Sequence, residues 1–309
     1  MKRLAALFLV VLMLAGCTPK DAPAQEYIFC MDTVMALDVW GKESAEAAAQ
    51  MRRLLYDLEK TWSASDESSL ISAKNRGENI TDAEALALLE AVRVLSERTG
   101  GAFDPALYAV TQVWGFPTDE FRIPSDGELA EARKLQLWDL GAAVKGYAGD
   151  RLVALLESHD VDRAMLNLGG NVQTYGEKPD GTPWKIAIQN PDMAEDHLGI
   201  VAVTGTMAVV TSGDYQRYFE LDGVRYHHIL DPETGRPANS GLRSVTVICR
   251  SGLTADVLST ALFVMGLEDA VDFWRASDDF EAVFVTAEGK IYATEGANLS
   301  DCVFEVIKR

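Results

Sequence analysis

An α+β domain with a mostly antiparallel sheet is the fold class this sequence predicts, and three observations predict it. Helical apolar spacing clusters before residue 158 and returns over 255–274, whereas short β-rich segments fill the interval between. No regular alternation of strands and helices runs through the chain, which argues against a doubly wound parallel sheet. Residues 27–309 are enough chain to bury one sizeable core, and no internal repeat or low-complexity tract divides them.

The N-terminus reads as an export signal. Lys2 and Arg3 precede an uncharged apolar run, Leu4 to Leu14, which is short for a membrane span. Leu14-Ala15-Gly16-Cys17 resembles a bacterial lipobox. We therefore expect a lipoprotein signal peptide over 1–16, a lipidated Cys17 with a polar tether over 17–26, and the functional domain over 27–309. The expected location is extracytoplasmic, lipid-anchored to the membrane at the periplasmic face or the outer cell surface.

From there the elements follow in order. Tyr27–Val39 is rich in β-formers and reads as a strand. Glu43–Thr61 has helical composition, and a polar loop follows over 62–79. Thr81 is placed to cap an amphipathic helix over Asp82–Arg98, stopped by Gly100-Gly101. Pro105–Trp114 reads as a short helix, and Ser125–Leu135 as another, with Ser125 and Glu128 spaced as a capping box. The second half predicts strands at 164–168, 184–189, 200–203, 208–211, 215–221, 243–249, 282–286 and 290–293. Helices over Ala142–Ser158 and Ala255–Trp274 interrupt them, the second with a break at Gly266.

Composition narrows the function. Apolar residues make up 48% and charged residues 24%, ordinary for a globular protein. A net charge of −19 argues against nucleic acid, which needs Lys/Arg patches for its phosphates. An anionic substrate would need a local cation or well-aimed amides. Besides Cys17, the cysteines are Cys30, Cys249 and Cys302, too few and too widely spaced for a disulfide scaffold or metal cluster. HExxH, Cys-x-x-Cys, Walker and G-x-S-x-G patterns are absent.

Four segments carry the chemistry. In Thr254–Gly266 (TADVLSTALFVMG) the helix, capped in this reading by Thr254, is apolar nearly all round except at Asp256, Ser259 and Thr260. These share one face at i, i+3 and i+4. Buried polar groups need partners, and carboxylate and hydroxyl oxygens suit a hard cation such as Mg2+ or Ca2+. The same stripe bonded to a neighbouring loop fits the spacing equally well. In WDLGAAVKGYAGD, Asp139 ends an expected strand and Lys145 lies in the first turn of a helix, an arrangement for an anion or for a plain turn. Asn167-Leu168-Gly169-Gly170-Asn171 permits close approach of backbone. Finally, TSGDYQRYF precedes HHILDPETGRP, where His227 and His228 must face opposite sides.

Taken in order, DLGAAVKGYAGD, LNLGGN, TSGDYQRYF, HHILDPETGRPA and TADVLSTALFVMG resemble the ApbE-type family, the FAD:protein FMN transferases, over nearly the whole chain after the tether. The resemblance implies a single T-fold-like domain that takes FAD as substrate and uses Mg2+. It implies metal ligands at Asp256, Thr260 and the Ala142 carbonyl, with Ser259 in the same set. It implies FAD contacts at Met31, Trp62, Ala102, Phe103, Asp104, Asp139, Lys145 and Leu230, and an acid/base at His228. Where the family often reads Gly-Ile-Ala before the Lys, this chain has Ala142-Ala143-Val144, a change that a backbone ligand tolerates. The implied reaction moves FMN from FAD to a Ser or Thr hydroxyl of an exported or membrane redox protein, releasing AMP. Two other readings of the same residues are an Mg2+-dependent FAD pyrophosphatase and a non-catalytic FAD-binding lipoprotein.

Overall fold

The computed structural model describes residues 22–193 and 196–309. The expected signal segment, Cys17 and the tether up to Asp21 lie outside the described residues.

The first strand expected from sequence is two. β1 (Ala24–Cys30) and β2 (Thr33–Gly41) form an antiparallel hairpin closed by the Cys30–Thr33 pair. Met31 and Asp32 form its two-residue loop at φ 52° and 58°. Positive φ at both central positions matches the twist of the strands, but this loop usually takes Asn-Gly. Met-Asp carries no such signal, so the alternating pattern runs straight through the turn. β1 also begins at Ala24, so Ala24–Glu26 of the expected tether pair with β2.

α1 (Ser44–Trp62) buries Ala47, Ala48, Met51, Leu55, Leu58 and Trp62. The expected polar loop beyond it contains α2 (Leu70–Asn75), started by the Ser69 hydroxyl accepting from the Ser72 N–H. α3 (Ala83–Arg98) is capped by Asp82 rather than Thr81, its carboxylate accepting from the Ala85 N–H at 2.7 Å. α4 (Tyr108–Trp114) starts three residues beyond Pro105. α5 (Asp126–Lys134) keeps the expected Ser125–Glu128 capping box. Asp139, expected near the end of a strand, lies in a stretch over 136–140 without regular structure, which leads through a turn into α6 (Val144–Leu156).

β3 (Val161–Asn167), β4 (Asn171–Tyr175), β5 (Trp184–Gln189), β6 (His197–Val203) and β7 (Ala208–Gly213) follow. The stretch expected as one strand over 215–221 is the first arm of a hairpin, β8 (Tyr218–Leu221) and β9 (Val224–His227). After β10 (Leu242–Cys249), the second long helix divides at Gly266 (φ 81°) into α7 (Gly252–Met265) and α8 (Leu267–Arg275). Ser251 caps α7, not Thr254: its hydroxyl accepts from the Thr254 N–H. β11 (Phe280–Thr286), β12 (Ile291–Thr294), β13 (Leu299–Ser300) and β14 (Glu305–Ile307) complete the fold.

Among the described residues the main sheet has nine strands in the order β1-β2-β3-β4-β7-β10-β11-β12-β14. Every neighbouring pair is antiparallel except β12–β14. Helices cover one face. α1, α3 and α6 pack on the β1–β3 end, α8 packs on the β10–β11 end, and α7 supplies Val257 and Ala261 to one core and Leu258 and Phe263 to the other. Part of the opposite face lies under the small sheet β13-β6-β5, around Trp184, Ile186 and Val201. This is a single α+β domain, as expected.

Candidate active site

Two helices meet backbone to backbone, and the crossing places the chemistry. A Cβ on Gly146 of α6 would stand 2.1 Å from the Gly252 carbonyl oxygen, and one on Gly252 of α7 would stand 2.3 Å from that of Gly146. Only glycine fits at either position. The closeness lets the Asp256 Oδ2 of α7 accept from the Gly146 N–H at 2.8 Å.

That bond serves a free group. Gly146 is the third residue of α6, so its N–H is one of those at a helix start that have no acceptor inside the helix. Here it goes to Asp256, and no hydrogen bond to the Ala142 carbonyl exists among the described residues. A free carbonyl and a buried carboxylate thus both belong to the start of α6. Asp256 is only 5% exposed, and burial pushes its carboxyl above the usual range. The Lys145 charge and the Gly146 N–H oppose that shift. Asn171, also buried, turns its amide toward the same carboxylate, with Nδ2 outside ordinary hydrogen-bond geometry.

Beside Asp256 runs a chain of hydroxyls with a fixed direction. Ser259 Oγ donates to the Asp256 carbonyl at 2.9 Å, which uses its one proton. Ser212 Oγ of β7, 2.8 Å from Ser259 Oγ, must then donate to it. Thr260 Oγ1, 3.1 Å from Ser212, donates in turn and keeps its own lone pairs available. Asp256, the Ala142 carbonyl and Thr260 are thus oxygens in want of a positive partner, a donor set that fits a hard cation. Ser259 is fully buried, with its hydroxyl engaged by the Asp256 carbonyl and Ser212. No group of three or more His, Cys, Asp or Glu side chains suited to a metal occurs among the described residues. A cation here would use hydroxyl, carbonyl and ligand oxygens to complete its shell.

Lys145 links this corner to a second. Its charge acts on Asp256, Asp139 and His228. Burial raises the Asp139 carboxyl; the Gly141 N–H, donating to Oδ1 at 2.9 Å, and Lys145 work against that. Burial pushes His228 down to about 4, so it is neutral at pH 7. Its Nδ1 lies 3.1 Å from the Arg217 carbonyl oxygen, which can only accept, so the proton sits on Nδ1 and the Nε2 lone pair is free. His227 points the other way, into the core against Phe263, with its Nε2 on the Ala238 carbonyl.

Apart from Asp104, the remaining expected FAD residues are distributed over two core clusters. Met31, Ala102 and Ala142 pack on one core cluster, together with Trp138. The Met31 N–H donates to Glu59 Oε1 at 2.6 Å. Asp104 Oδ1 accepts from the Ala106 N–H and so shapes its own loop. Trp62 and Phe103, 4% and 3% exposed, put their rings into the core. Leu230 is 6% exposed and packs with Val110 and Trp114, which leaves its backbone as the part a ligand can reach.

Sequence reasoning did not assign roles to Asp150, Asn171 or Ser212, although all three lie inside the quoted motifs. Asn75 had no signal. From the unexpected α2 it grips the Trp138 backbone in both directions, accepting from N–H at 2.7 Å and donating to C=O at 2.8 Å. Lys74 Nζ sits 3.9 Å over the Trp138 ring centre. A separate cleft of about 740 Å³, lined by Met207, Arg250, Thr254 and Glu281 among others, holds none of the expected FAD or metal residues.

The chain resembles known proteins over most of its length. The ApbE family pattern matches residues 31–284. A Treponema pallidum protein called FAD:protein FMN transferase is 32% identical over 85% of this chain and 84% of its own length. One of the same name from Vibrio cholerae is 33% identical over 73% and 75%. Among solved structures, the ApbE protein of Thermotoga maritima superposes with a TM-score of 0.80 at 33% identity, covering 88% of this chain and 97% of that one. The Vibrio cholerae flavin transferase ApbE gives 0.78 at 28% identity, covering 89% and 98%.

Proposed function

This chain belongs to the ApbE family and is an FAD:protein FMN transferase, and we propose that it works with Mg2+ held by Asp256, Thr260 and the Ala142 carbonyl. The observation that supports the metal assignment is the buried Asp256 carboxylate held against the start of α6 by the Gly146 N–H; two residues before that helix the Ala142 carbonyl is without a hydrogen bond among the described residues. Bound there, Mg2+ would offset charge on the pyrophosphate oxygens of FAD.

The chain's own groups account for the rest. Lys145 and the start of α6 present positive charge to the phosphates. Met31, Ala102, Asp104, Asp139 and the Leu230 backbone border the flavin and nucleotide. A Ser or Thr hydroxyl of the acceptor attacks the FMN phosphorus, and its proton passes to His228 Nε2. The bond from that phosphorus to the bridging oxygen breaks, AMP leaves with that oxygen, and FMN stays on the acceptor as a phosphoester. We also propose that the acceptors are exported or membrane redox proteins, and that the enzyme meets them from a lipid anchor at Cys17 outside the cytoplasm.

The test uses purified residues 18–309 with FAD, with and without Mg2+, and a candidate acceptor. In-gel flavin fluorescence and AMP release are read together. A fluorescent acceptor band that needs Mg2+ and the acceptor's hydroxyl is the expected result. AMP with free FMN and no labelled band would mean a hydrolase; bound FAD with neither product would mean a binding protein.

A further inference from the structure

The small sheet leaves one stretch of the main sheet bare. Trp40, Met165 and Val172 lie under its apolar cover, but Tyr27, Phe29 and Val34 do not: they are 72%, 67% and 64% exposed. In the antiparallel register Phe29 pairs with Val34 and Tyr27 with Ala36, so the bare side chains form one patch at the turn end of the β1–β2 hairpin. β1 is also the outer strand of the sheet, so one side of its backbone has no neighbouring strand among the described residues. Exposed edges are usually blunted with charge, yet the solvent side of β1 reads Gln25, Tyr27, Phe29. An apolar patch on an open edge marks an interaction site.

Its position says with what. The turn between Phe29 and Val34 is built into the active site. The Met31 N–H is held by Glu59, and Asp32 lies 4.0 Å from Arg217, whose carbonyl orients His228. Thr33 packs under Gly169, where an added Cβ would meet its hydroxyl oxygen at 2.3 Å. The patch is therefore two contacts from the group that takes the acceptor's proton. The reaction requires another protein to bring a hydroxyl there.

We propose that the bare face and open edge of β1 dock the acceptor protein, through an extended apolar segment beside its Ser or Thr that adds as a strand along Tyr27–Phe29. Backbone pairing would supply affinity and register, and the two rings would supply selectivity. This rests on the transferase reading and on His228 as the base.

The experiment compares wild type with Tyr27→Ser/Phe29→Ser and, separately, Val34→Thr. The probe is the purified acceptor that wild type labels in the fluorescence gel. The expected result is a rise in KM for the acceptor of about tenfold or more in the double variant, with kcat, FAD affinity and melting temperature unchanged. An unchanged KM in both variants overturns the proposal. So does a loss confined to binding of anionic lipid vesicles, which would make the patch a membrane contact. A fall in FAD affinity or melting temperature that matches the activity loss also overturns it, because the patch is then structural. A wild type that labels no acceptor removes the transferase reading, and the docking proposal with it.

Discussion

Asp150 and Asp256 each stand on one helix and cap the other. From α6, Asp150 accepts from the Gly252 N–H at 2.6 Å, the Leu253 N–H at 3.0 Å and the Ser251 hydroxyl at 3.0 Å, at the start of α7. From α7, Asp256 accepts from the Gly146 N–H at 2.8 Å, in the first turn of α6. Free N–H groups at a helix start favour a carboxylate. The exchange therefore locks the crossing at Gly146 and Gly252; it adds to the local Ser251 cap on α7 and stands in for the side-chain cap that α6 lacks. The two carboxylates differ in what is left over. Asp150 also meets Gln173 and has its partners in full, whereas burial leaves Asp256 short of positive charge.

That shortage makes Asp256→Asn informative. The amide oxygen still accepts from Gly146, so the crossing survives. The wild-type carboxyl is raised in the fold above its unfolded value, so its ionised form costs stability as pH rises through the folded pKa. The variant should melt at the same temperature as metal-free wild type or higher at pH 7. It should also lose the stabilisation that Mg2+ gives wild type, and transfer should fall by at least about a hundredfold. Mg2+-dependent transfer surviving in this variant would overturn the ligand assignment.

Gly146→Ala should act through the crossing. The new methyl meets the Gly252 carbonyl at 2.1 Å and the Asp256 Cβ at 2.6 Å, so α6 and α7 must separate. Overpacking of this kind costs about 1–3 kcal/mol. Thermal melting should show the loss, and transfer should fall further than stability because Asp256 parts from the start of α6.

For His228 the sign is opposite to that of Asp256. Its pKa is held near 4 in the fold against the ordinary 6.5. Between these values the unfolded chain binds the proton and the folded one does not, so stability falls as pH drops from about 6.5 toward 4. His228→Gln should flatten that slope in denaturant titrations at stepped pH. Transfer by wild type should show no acid limb near pH 6.5 assignable to this group, and the variant should lose activity at pH 7 with FAD affinity kept. A wild-type limb at 6.5 that disappears in the variant would mean a solvated histidine instead.

How much of this was legible follows from where each constraint is local. The Ser125–Glu128 box, the Gly266 break and the polar stripe at 256, 259 and 260 are spacing signals, and all appear in the structure. The Met31–Asp32 turn was not legible, because tertiary ties at Glu59 and Arg217 hold a loop that lacks the usual residues. Asp82 and Ser251 displaced Thr81 and Thr254 as caps by one and three residues, within the range where several hydroxyl or carboxylate side chains compete. The exchange between Asp150 and Asp256 spans more than a hundred residues, and no local pattern carries it. Trp62 and Phe103 came from family resemblance, and their rings serve the core.

The Cys17 anchor has its own test. In cells grown with labelled fatty acid, the full chain should take up label and sediment with membranes, and Cys17→Ser should do neither. Label retained by the variant would remove the lipobox reading.

Asn75 offers a test of positioning apart from the metal. It satisfies both backbone groups of Trp138, one residue before Asp139, and nothing else among the described residues bonds to either group. Asn75→Ala leaves a partly buried donor and acceptor unpaired, worth about 1–3 kcal/mol, and lets the segment before α6 shift. Asp139 would move with it, while Asp256, Thr260 and the Gly146 bond lie on other contacts and should stay. The expected signature is a higher KM for FAD with the Mg2+ effect on melting retained. Asn75→Asp, which can accept from the Trp138 N–H but not donate to its carbonyl, should fall between the two. A uniform loss of kcat, FAD affinity and Mg2+ response would show that Asn75 supports the whole domain rather than this segment.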